Sequence, residues 1–324
     1  MKIAFLHHRG YFSSLLFRHI RAALASHEIV EWVEGSEAPA LDFEVLIALG
    51  AVGRPVLDTQ PKLALIQTAS DGYEAVDVEC ASELGIWVSY APAGATGNAT
   101  SVAEFAILLL LGAARHLGEA LAGLHGHPVK QRQLDLALSG KTVCIVGLGG
   151  IGREIVDRLR PFGVKIVATD EHPEHAPNDV RAYAADQLKT AVADADFIVI
   201  CVRASKENEN LINAEILAAT KHRAIVINIA RGMLIDEPAL VAAVEQGQIS
   251  AAGLDVLTVE PANAGNPLLH LPQVLVTPHI AGLTDIMLAG TAKYIAEVME
   301  GFSAGKKPGS MLNSPPSPRH RLEG

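Results

Sequence analysis

Cysteine is scarce in this chain. Cys80, Cys144 and Cys201 stand far apart among 324 residues, each in apolar surroundings, which argues against a disulfide framework or a paired-cysteine metal knuckle and leaves three core thiols. Long apolar runs are missing as well. The longest, Val102 to Ala114, contains Glu104 and falls short of the roughly 20 residues that a bilayer-spanning helix requires. It reads as a buried helix, and no membrane partner is expected. Positive charge is in deficit: 26 Lys and Arg against 36 Asp and Glu give a formal net charge of −10. Such a chain offers no basic footprint to nucleic acid and is repelled by an anionic membrane surface. Met1 to His8 is a short strand-like run without the apolar core and small-residue cleavage site of a secretory leader, so a cytoplasmic location is expected. No internal repeat is present.

What is there is an ordinary globular composition, 49% hydrophobic and 19% charged, sufficient for two domains. Its most informative stretch runs from Val143 to Gly152, where a short apolar strand enters G-x-G-x-x-G (Gly147, Gly149, Gly152, with Gly150 and Ile151 between) and then a helical segment, Arg153 to Phe162. Gly147 permits the tight turn, Gly149 lets backbone approach a pyrophosphate, and Gly152 lets helix pack on strand. The phosphates would sit on the helix N-terminus, where unpaired N–H groups favour anions. A second strand, Lys165 to Thr169, ends at Asp170, an acid placed to bond adenosine ribose hydroxyls. Glu171 and Glu174 follow rather than Arg or Lys, so a 2′-phosphate would meet negative charge and NAD is favoured over NADP.

Strand-like and helix-like segments alternate along the first hundred residues: Ile3 to Leu6, a helix near Tyr11 to Ala25, Val45 to Leu49, Leu63 to Gln67, a helix near Asp77 to Leu84, and Ile86 to Ser89. That alternation implies a parallel sheet covered by helices. After the turn-forming run Ala91 to Gly97 comes the apolar helix Asn98 to His116, then a polar, helix-weak region from Leu117 to Ser139. Further strands at Phe197 to Val202, Ala224 to Asn228, Ala252 to Asp255 and Val274 to Thr277 complete a six-strand doubly wound sheet. A last amphipathic helix, Thr284 to Met299, with Thr284 as N-cap and Asp285 beside the dipole, has no vacancy on that sheet and is expected to return to the first domain. The expected division is 1–95 plus 285–302 for a discontinuous first domain, 96–284 for the dinucleotide-binding domain, and 303–324 as a disordered tail rich in Pro and Ser. His125, His127, His172 and His175 are expected to be solvent-exposed.

Three segments stand at the ends of late strands, where open parallel sheets present their ligand site: Asn228-Ile229-Ala230-Arg231-Gly232, Leu254 to Pro261, and Thr277-Pro278-His279-Ile280-Ala281-Gly282. With the glycine turn, these four blocks resemble the signatures of the D-isomer-specific 2-hydroxyacid dehydrogenase family, over nearly the whole chain. The resemblance implies an α/β fold of two domains, a doubly wound Rossmann domain that binds NAD and a discontinuous flavodoxin-like substrate domain. It implies reversible hydride transfer between NAD(H) and a small 2-hydroxy/2-keto acid, and a homodimer.

Residue by residue, the family would have Arg231 bind the substrate carboxylate and polarise its carbonyl, a task for a planar, permanently charged fork of donors. His279 would protonate the carbonyl oxygen and act as base in the reverse direction. Glu260 would bond the other ring nitrogen and favour the imidazolium, so that reduction falls as pH rises through the imidazole titration. Ile229, Ala230, Arg231, Asp255, His279 and Gly282 would meet the cofactor; for Asp255 the alternative is capping of the following turn. Ser70, Asp71 and Gly72 form the loop that would present backbone N–H groups to the substrate, and Asn98 would either touch substrate or cap its helix. Asp71 departs from the small apolar residue usual there and is expected to point away from a carboxylate substrate. Arg203, where members usually carry proline, could stack on adenine or approach its ribose. Two other readings share the trio: a phosphite-type dehydrogenase, and an NAD(H)-sensing corepressor-like binding module. A formate dehydrogenase is disfavoured, since those carry Gln where Glu260 stands.

Overall fold

The computed structural model describes residues 1–39, 42–124 and 134–322. The chain divides into two compact units, Met1–Asn98 with Leu283–Gly324, and Ala99–Gly282.

In the first unit five parallel strands, β1 (Lys2–His7), β2 (Glu28–Val33), β3 (Val45–Leu49), β4 (Leu65–Thr68) and β5 (Trp87–Ser89), lie in the order β2-β1-β3-β4-β5, the flavodoxin-like order. The inner strands β3 and β4 are almost entirely buried, as continuous apolar runs must be in a parallel sheet covered on both faces. β2 escaped the sequence reading because it is an edge strand, with Glu28 and Glu31 exposed among apolar residues. On one face the helix Tyr11–Ala23 and the last helix, Asp285–Ser303, pack together: Leu16, Phe17 and Ile20 share a core with Leu288, Ile295, Met299 and Phe302 over Ile3, Phe5 and Ile47. Thr284 Oγ1 accepts the Met287 N–H at 3.3 Å and starts that last helix.

The tail corrects an expectation. Composition predicts disorder for residues 303–324, yet the described part, to Leu322, is bound to the first unit, at the β5 edge and beside it. Met311 bridges Ser89 in antiparallel fashion, and the Leu312 N–H donates to Val88 O at 2.8 Å. Asn313 accepts from Val88 N at 2.8 Å and donates to Ile86 O at 2.9 Å. Trp87 Nε1 donates to His320 O, and Arg319 Nη1 to Gln60 O and Leu63 O. Proline and serine lower apolar content, which predicts disorder; here the segment carries little helix or strand of its own, but Met311, Leu312 and Asn313 satisfy the polar edge of a short strand, which would otherwise stand unpaired. A chain ending at Gly305 should melt at a lower temperature than the full chain, because the β5 edge and Trp87 lose these partners. Thermal melting measures this, and an unchanged transition would contradict the strap.

In the second unit β6 (Thr142–Val146), β7 (Lys165–Asp170), β8 (Arg181–Ala184), β9 (Phe197–Ile200), β10 (Ala224–Asn228), β11 (Ile249–Leu254) and β12 (Val274–Val276) form one parallel sheet, ordered β12-β11-β10-β9-β6-β7-β8. This is the doubly wound order with its reversal between β6 and β9. The sheet has seven strands rather than six: β8, four half-exposed residues at the edge, carries too little apolar pattern to be read. The helix Asn98–Ala114 buries Val102, Ala106, Leu109, Leu110 and Ala113 against Val143, Ile145 and Ile227. No single helix among the described residues is long and apolar enough to cross a membrane. Within the region read as helix-weak, Leu117–Leu124 is helical. All three cysteines are free thiols, Cys80 and Cys144 buried and Cys201 partly so; burial pushes the Cys144 thiol up to about 12. His172 and His175 are exposed, whereas His125 and His127 lie outside the described residues.

Candidate active site

The dinucleotide turn sits at the topological switch point of the second unit. Gly147 has φ +102°, and a Cβ on it would come 2.8 Å from Val202 Cα in the loop after β9. A Cβ on Gly152 would lie 2.1 Å from Gly147 O, whereas one on Gly149 would meet nothing within 4 Å. Two of the glycines are therefore set by packing, and the third faces open space. Gly149 precedes the helix Gly150–Leu159, and no side chain caps that helix. The backbone N–H groups of Gly150 and Ile151 are thus left for an anion. Asp170 closes the cradle from β7: its carboxylate accepts Leu148 N at 2.7 Å and His172 N at 2.9 Å. Each oxygen keeps a further lone pair for ribose hydroxyls. Donors for a pyrophosphate, clearance at Gly149 and an acid at the end of β7 fit a dinucleotide. Cys201 Sγ donates to Gly147 O at 3.1 Å, and Arg203 lies exposed just beyond it.

The three late-strand segments converge in the same unit. After β10, buried Asn228 folds the chain back on itself: its Oδ1 accepts Ala230 N at 3.0 Å and its Nδ2 donates to Arg231 O at 2.9 Å, a side-chain-built turn. Ile229 is buried and Ala230 partly so; Arg231 Nη1 donates to Ala230 O at 2.8 Å. Gly232 then lies against the next segment so closely that a Cβ would come 2.0 Å from Leu257 C. Glu260 Oε1 accepts Leu257 N at 3.0 Å, and its Oε2 meets His279 Nδ1 at 2.7 Å. Burial works to raise the Glu260 pKa, but the hydrogen bond and charge of His279, the Leu257 N–H and the Arg231 charge outweigh it and hold the carboxyl below its usual value.

His279 has φ +55°, a left-handed backbone uncommon outside glycine, though histidine enters it more readily than most residues. The buried carboxylate of Asp255 makes that conformation pay. It accepts Thr277 Oγ1 at 2.6 Å, Ile280 N at 3.0 Å and Ala281 N at 2.8 Å, while Asp255 O takes the His279 N–H at 2.8 Å. Among the two readings of Asp255, its described contacts are those of a cap on the His279 turn, with half-buried Gly282 just after it. His279 Nε2 has no hydrogen bond among the described residues and is available to a reacting oxygen.

A family signature described as "D-isomer specific 2-hydroxyacid dehydrogenase, NAD binding domain" matches residues 107–281. The chain belongs to the D-isomer-specific 2-hydroxyacid dehydrogenase family. It is 38% identical over 271 residues to the D-3-phosphoglycerate dehydrogenase of Mycobacterium leprae, covering 81% of this chain and 51% of that protein. It is 34% identical over 283 residues to the glyoxylate reductase of Thermococcus litoralis, covering 84% of each. The chain thus spans about half the length of the D-3-phosphoglycerate dehydrogenases it matches and most of the glyoxylate reductase. Among solved structures, an NADPH-dependent glyoxylate/hydroxypyruvate reductase from Sinorhizobium meliloti in complex with citrate has a TM-score of 0.83 at 27% identity, covering 98% of this chain and 99% of that one.

The loop Ser70-Asp71-Gly72 of the first unit is tied to itself. Thr68 Oγ1 donates to Ser70 O at 2.6 Å, Ser70 Oγ to Gly72 O at 2.8 Å, and the Ala91 N–H to Ser70 O at 3.2 Å. Asp71 accepts the Ala93 N–H at 3.1 Å, so at least one of its oxygens is engaged by its own unit. Asn98 stands at the start of the helix Asn98–Ala114. Sequence reading missed Glu237: its Oε1 accepts Thr258 N at 2.6 Å and its Oε2 accepts from Asn266 Nδ2 at 3.0 Å, pinning the loop that carries Glu260. The Asp236-Glu237-Pro238 run signals a helix start, but the cross-loop bonds have no signature in sequence.

The lowered Glu260 pKa has a stability consequence with a definite sign. A carboxyl depressed on folding stabilises the protein above its unfolded pKa, and that contribution is lost as pH falls through the folded value. The wild type should therefore melt higher than Glu260→Gln at neutral pH, with the difference shrinking below the usual carboxylate range. A difference that grew on acidification would contradict the assignment.

Proposed function

We propose that the protein is an NAD-dependent oxidoreductase that interconverts a small D-2-hydroxy acid and its 2-keto acid. The observation that carries this reading is the 2.7 Å pairing of His279 Nδ1 with Glu260 Oε2, in reach of the Arg231 charge. Glu260 holds the Nδ1–H, so Nε2 is the atom that exchanges a proton with the substrate oxygen. In reduction His279 gives that proton to the carbonyl oxygen, and in oxidation it takes one from the hydroxyl. Glu260 stabilises the imidazolium of the protonated state. Arg231 binds the substrate carboxylate and draws charge toward the carbonyl oxygen. Asp255 and Asn228 act through the backbone, holding the turns that present His279 and Arg231. The nicotinamide, when bound, supplies or accepts the hydride.

Gly147, Gly149, Gly150, Ile151 and Gly152 would hold the pyrophosphate and Asp170 the adenosine ribose. Asp170 and Glu171, at the end of β7, put negative charge beside the proposed ribose site, which supports NAD even though the Sinorhizobium meliloti neighbour is described as NADPH-dependent. A homodimer is the proposed assembly, supported by the exposed apolar side chains Leu108, Leu117, Leu121 and Leu124 on neighbouring helices of the second unit.

The test is oxidation of NADH and NADPH, followed at the nicotinamide absorbance, against glyoxylate, hydroxypyruvate, 3-phosphohydroxypyruvate, pyruvate, phenylpyruvate and 2-ketoisocaproate. Turnover with NADH that is lost in Arg231→Ala is expected. Preference for NADPH would overturn the cofactor assignment. Absence of turnover across the panel with NADH tightly bound would favour a nucleotide-sensing module instead.

A further inference from the structure

Beyond β7 the chain makes a short turn, Pro173–His175, that the proposed reaction does not use. The sequence there is Asp170-Glu171-His172-Pro173-Glu174-His175. In a 3₁₀ turn, side chains three apart eclipse, and here that places the His172 and His175 rings 5.5 Å apart between centroids. Glu174 lies between them: its Oε1 is 3.4 Å from His172 Nδ1 and 3.9 Å from His175 Nε2. One ligating atom from each residue lies within 4.8 Å of the others. A tetrahedral cation with bonds of about 2.0–2.2 Å holds its ligands roughly 3.3 Å apart, so these donors need to close by no more than about 1.5 Å. All three side chains are exposed and can rotate to do so.

The backbone beneath them is already fixed. The His172 N–H donates to Asp170 Oδ1 at 2.9 Å, the His175 N–H to His172 O at 3.0 Å, and Arg153 Nη2 to His175 O at 2.8 Å. Pro173 adds a locked φ. A turn held in this way presents its side chains at little further cost in backbone entropy, which is what a small ligand set requires.

We propose that His172, Glu174 and His175 form a surface site for a zinc-class divalent cation. Two imidazoles with one carboxylate suit zinc, nickel or copper; calcium and magnesium take oxygen ligands. Three protein ligands leave a fourth position for water. The site lies on the segment that follows Asp170, apart from the His279–Glu260 pair.

Zinc and cobalt titrations of the full chain without an affinity tag test this, by calorimetry for zinc and by the visible absorption of bound cobalt. The expected result is saturable micromolar binding that weakens on the order of tenfold or more in His172→Ala and in His175→Ala, and persists in Glu260→Gln. Because the substituted side chains are exposed, thermal melting without metal should be unchanged in the two histidine variants, showing that they fold. Absence of saturable binding by the wild type would overturn the proposal. So would wild-type affinity in both histidine variants, and so would loss of binding in Glu260→Gln alone, which would assign the cation to the His279 pair.

Discussion

Replacing His279 by asparagine should lower kcat for 2-keto acid reduction by about 10²–10⁴-fold, the usual worth of a positioned acid, with the dissociation constant for NADH little changed. Asparagine is the informative choice because position 279 has φ +55°. Asparagine tolerates that left-handed conformation, whereas alanine would add backbone strain to the loss of the imidazole. The Asp255 cap accepts from Thr277, Ile280 and Ala281 and none of these bonds uses the histidine ring. The turn therefore survives while the proton donor disappears. Steady-state kinetics with NADH fluorescence titration separates the two effects. Unimpaired turnover would remove His279 from the mechanism, and an equal loss of NADH binding would make it a cofactor contact rather than an acid.

Gly232→Ala should be nearly as damaging although it touches no reacting group. Its Cβ would stand 2.0 Å from Leu257 C and 2.2 Å from both Leu257 O and Thr258 N. These are backbone atoms that cannot swing aside. Relief requires the 257–260 segment to move, and that segment carries Glu260. Overpacking of this kind costs about 1–3 kcal/mol of stability, and a displacement of about 1 Å in a catalytic element costs on the order of 10² in rate. We expect kcat/KM to fall by roughly that factor together with a lower melting temperature. Gly149→Ala is the contrast, since its Cβ meets nothing within 4 Å. That variant should fold as the wild type does and fail in NADH binding, because the open space is where a pyrophosphate would approach. Wild-type kinetics in Gly232→Ala would show that Glu260 does not depend on this contact.

The parts of the fold that were legible in the sequence are those where local pattern and burial agree. β3 and β10 are legible to the residue, because both are apolar runs that the sheet buries almost completely. The last helix was assigned to the first domain by exclusion, and its core with Leu16 and Ile20 is found there. Edge strands behave differently. β2 and β8 are half-exposed, so they carry no continuous apolar run, and both were missed. The tail failed for a related reason: composition reports the capacity to bury apolar surface, while residues 310–313 are held chiefly by hydrogen bonds to β5, which composition does not register.

At the site, chemical identity was more legible than mechanics. His279 and Glu260 stand 19 residues apart in sequence, and the structure joins them at 2.7 Å. What holds them was less visible. Asp255 was read chiefly as a cofactor contact, yet its described bonds are to the His279 turn. Glu237 was not singled out, because its partners, Thr258 and Asn266, are brought to it only by the fold.

The most direct test of the proposed chemistry is reduction of NAD followed at the nicotinamide absorbance, with the separate D and L isomers of lactate, glycerate and 2-hydroxyisocaproate offered to the wild type. A rise with a D isomer and none with its L partner, abolished in His279→Asn, is the expected result. Equal oxidation of both isomers, or of the L isomer alone, would contradict it.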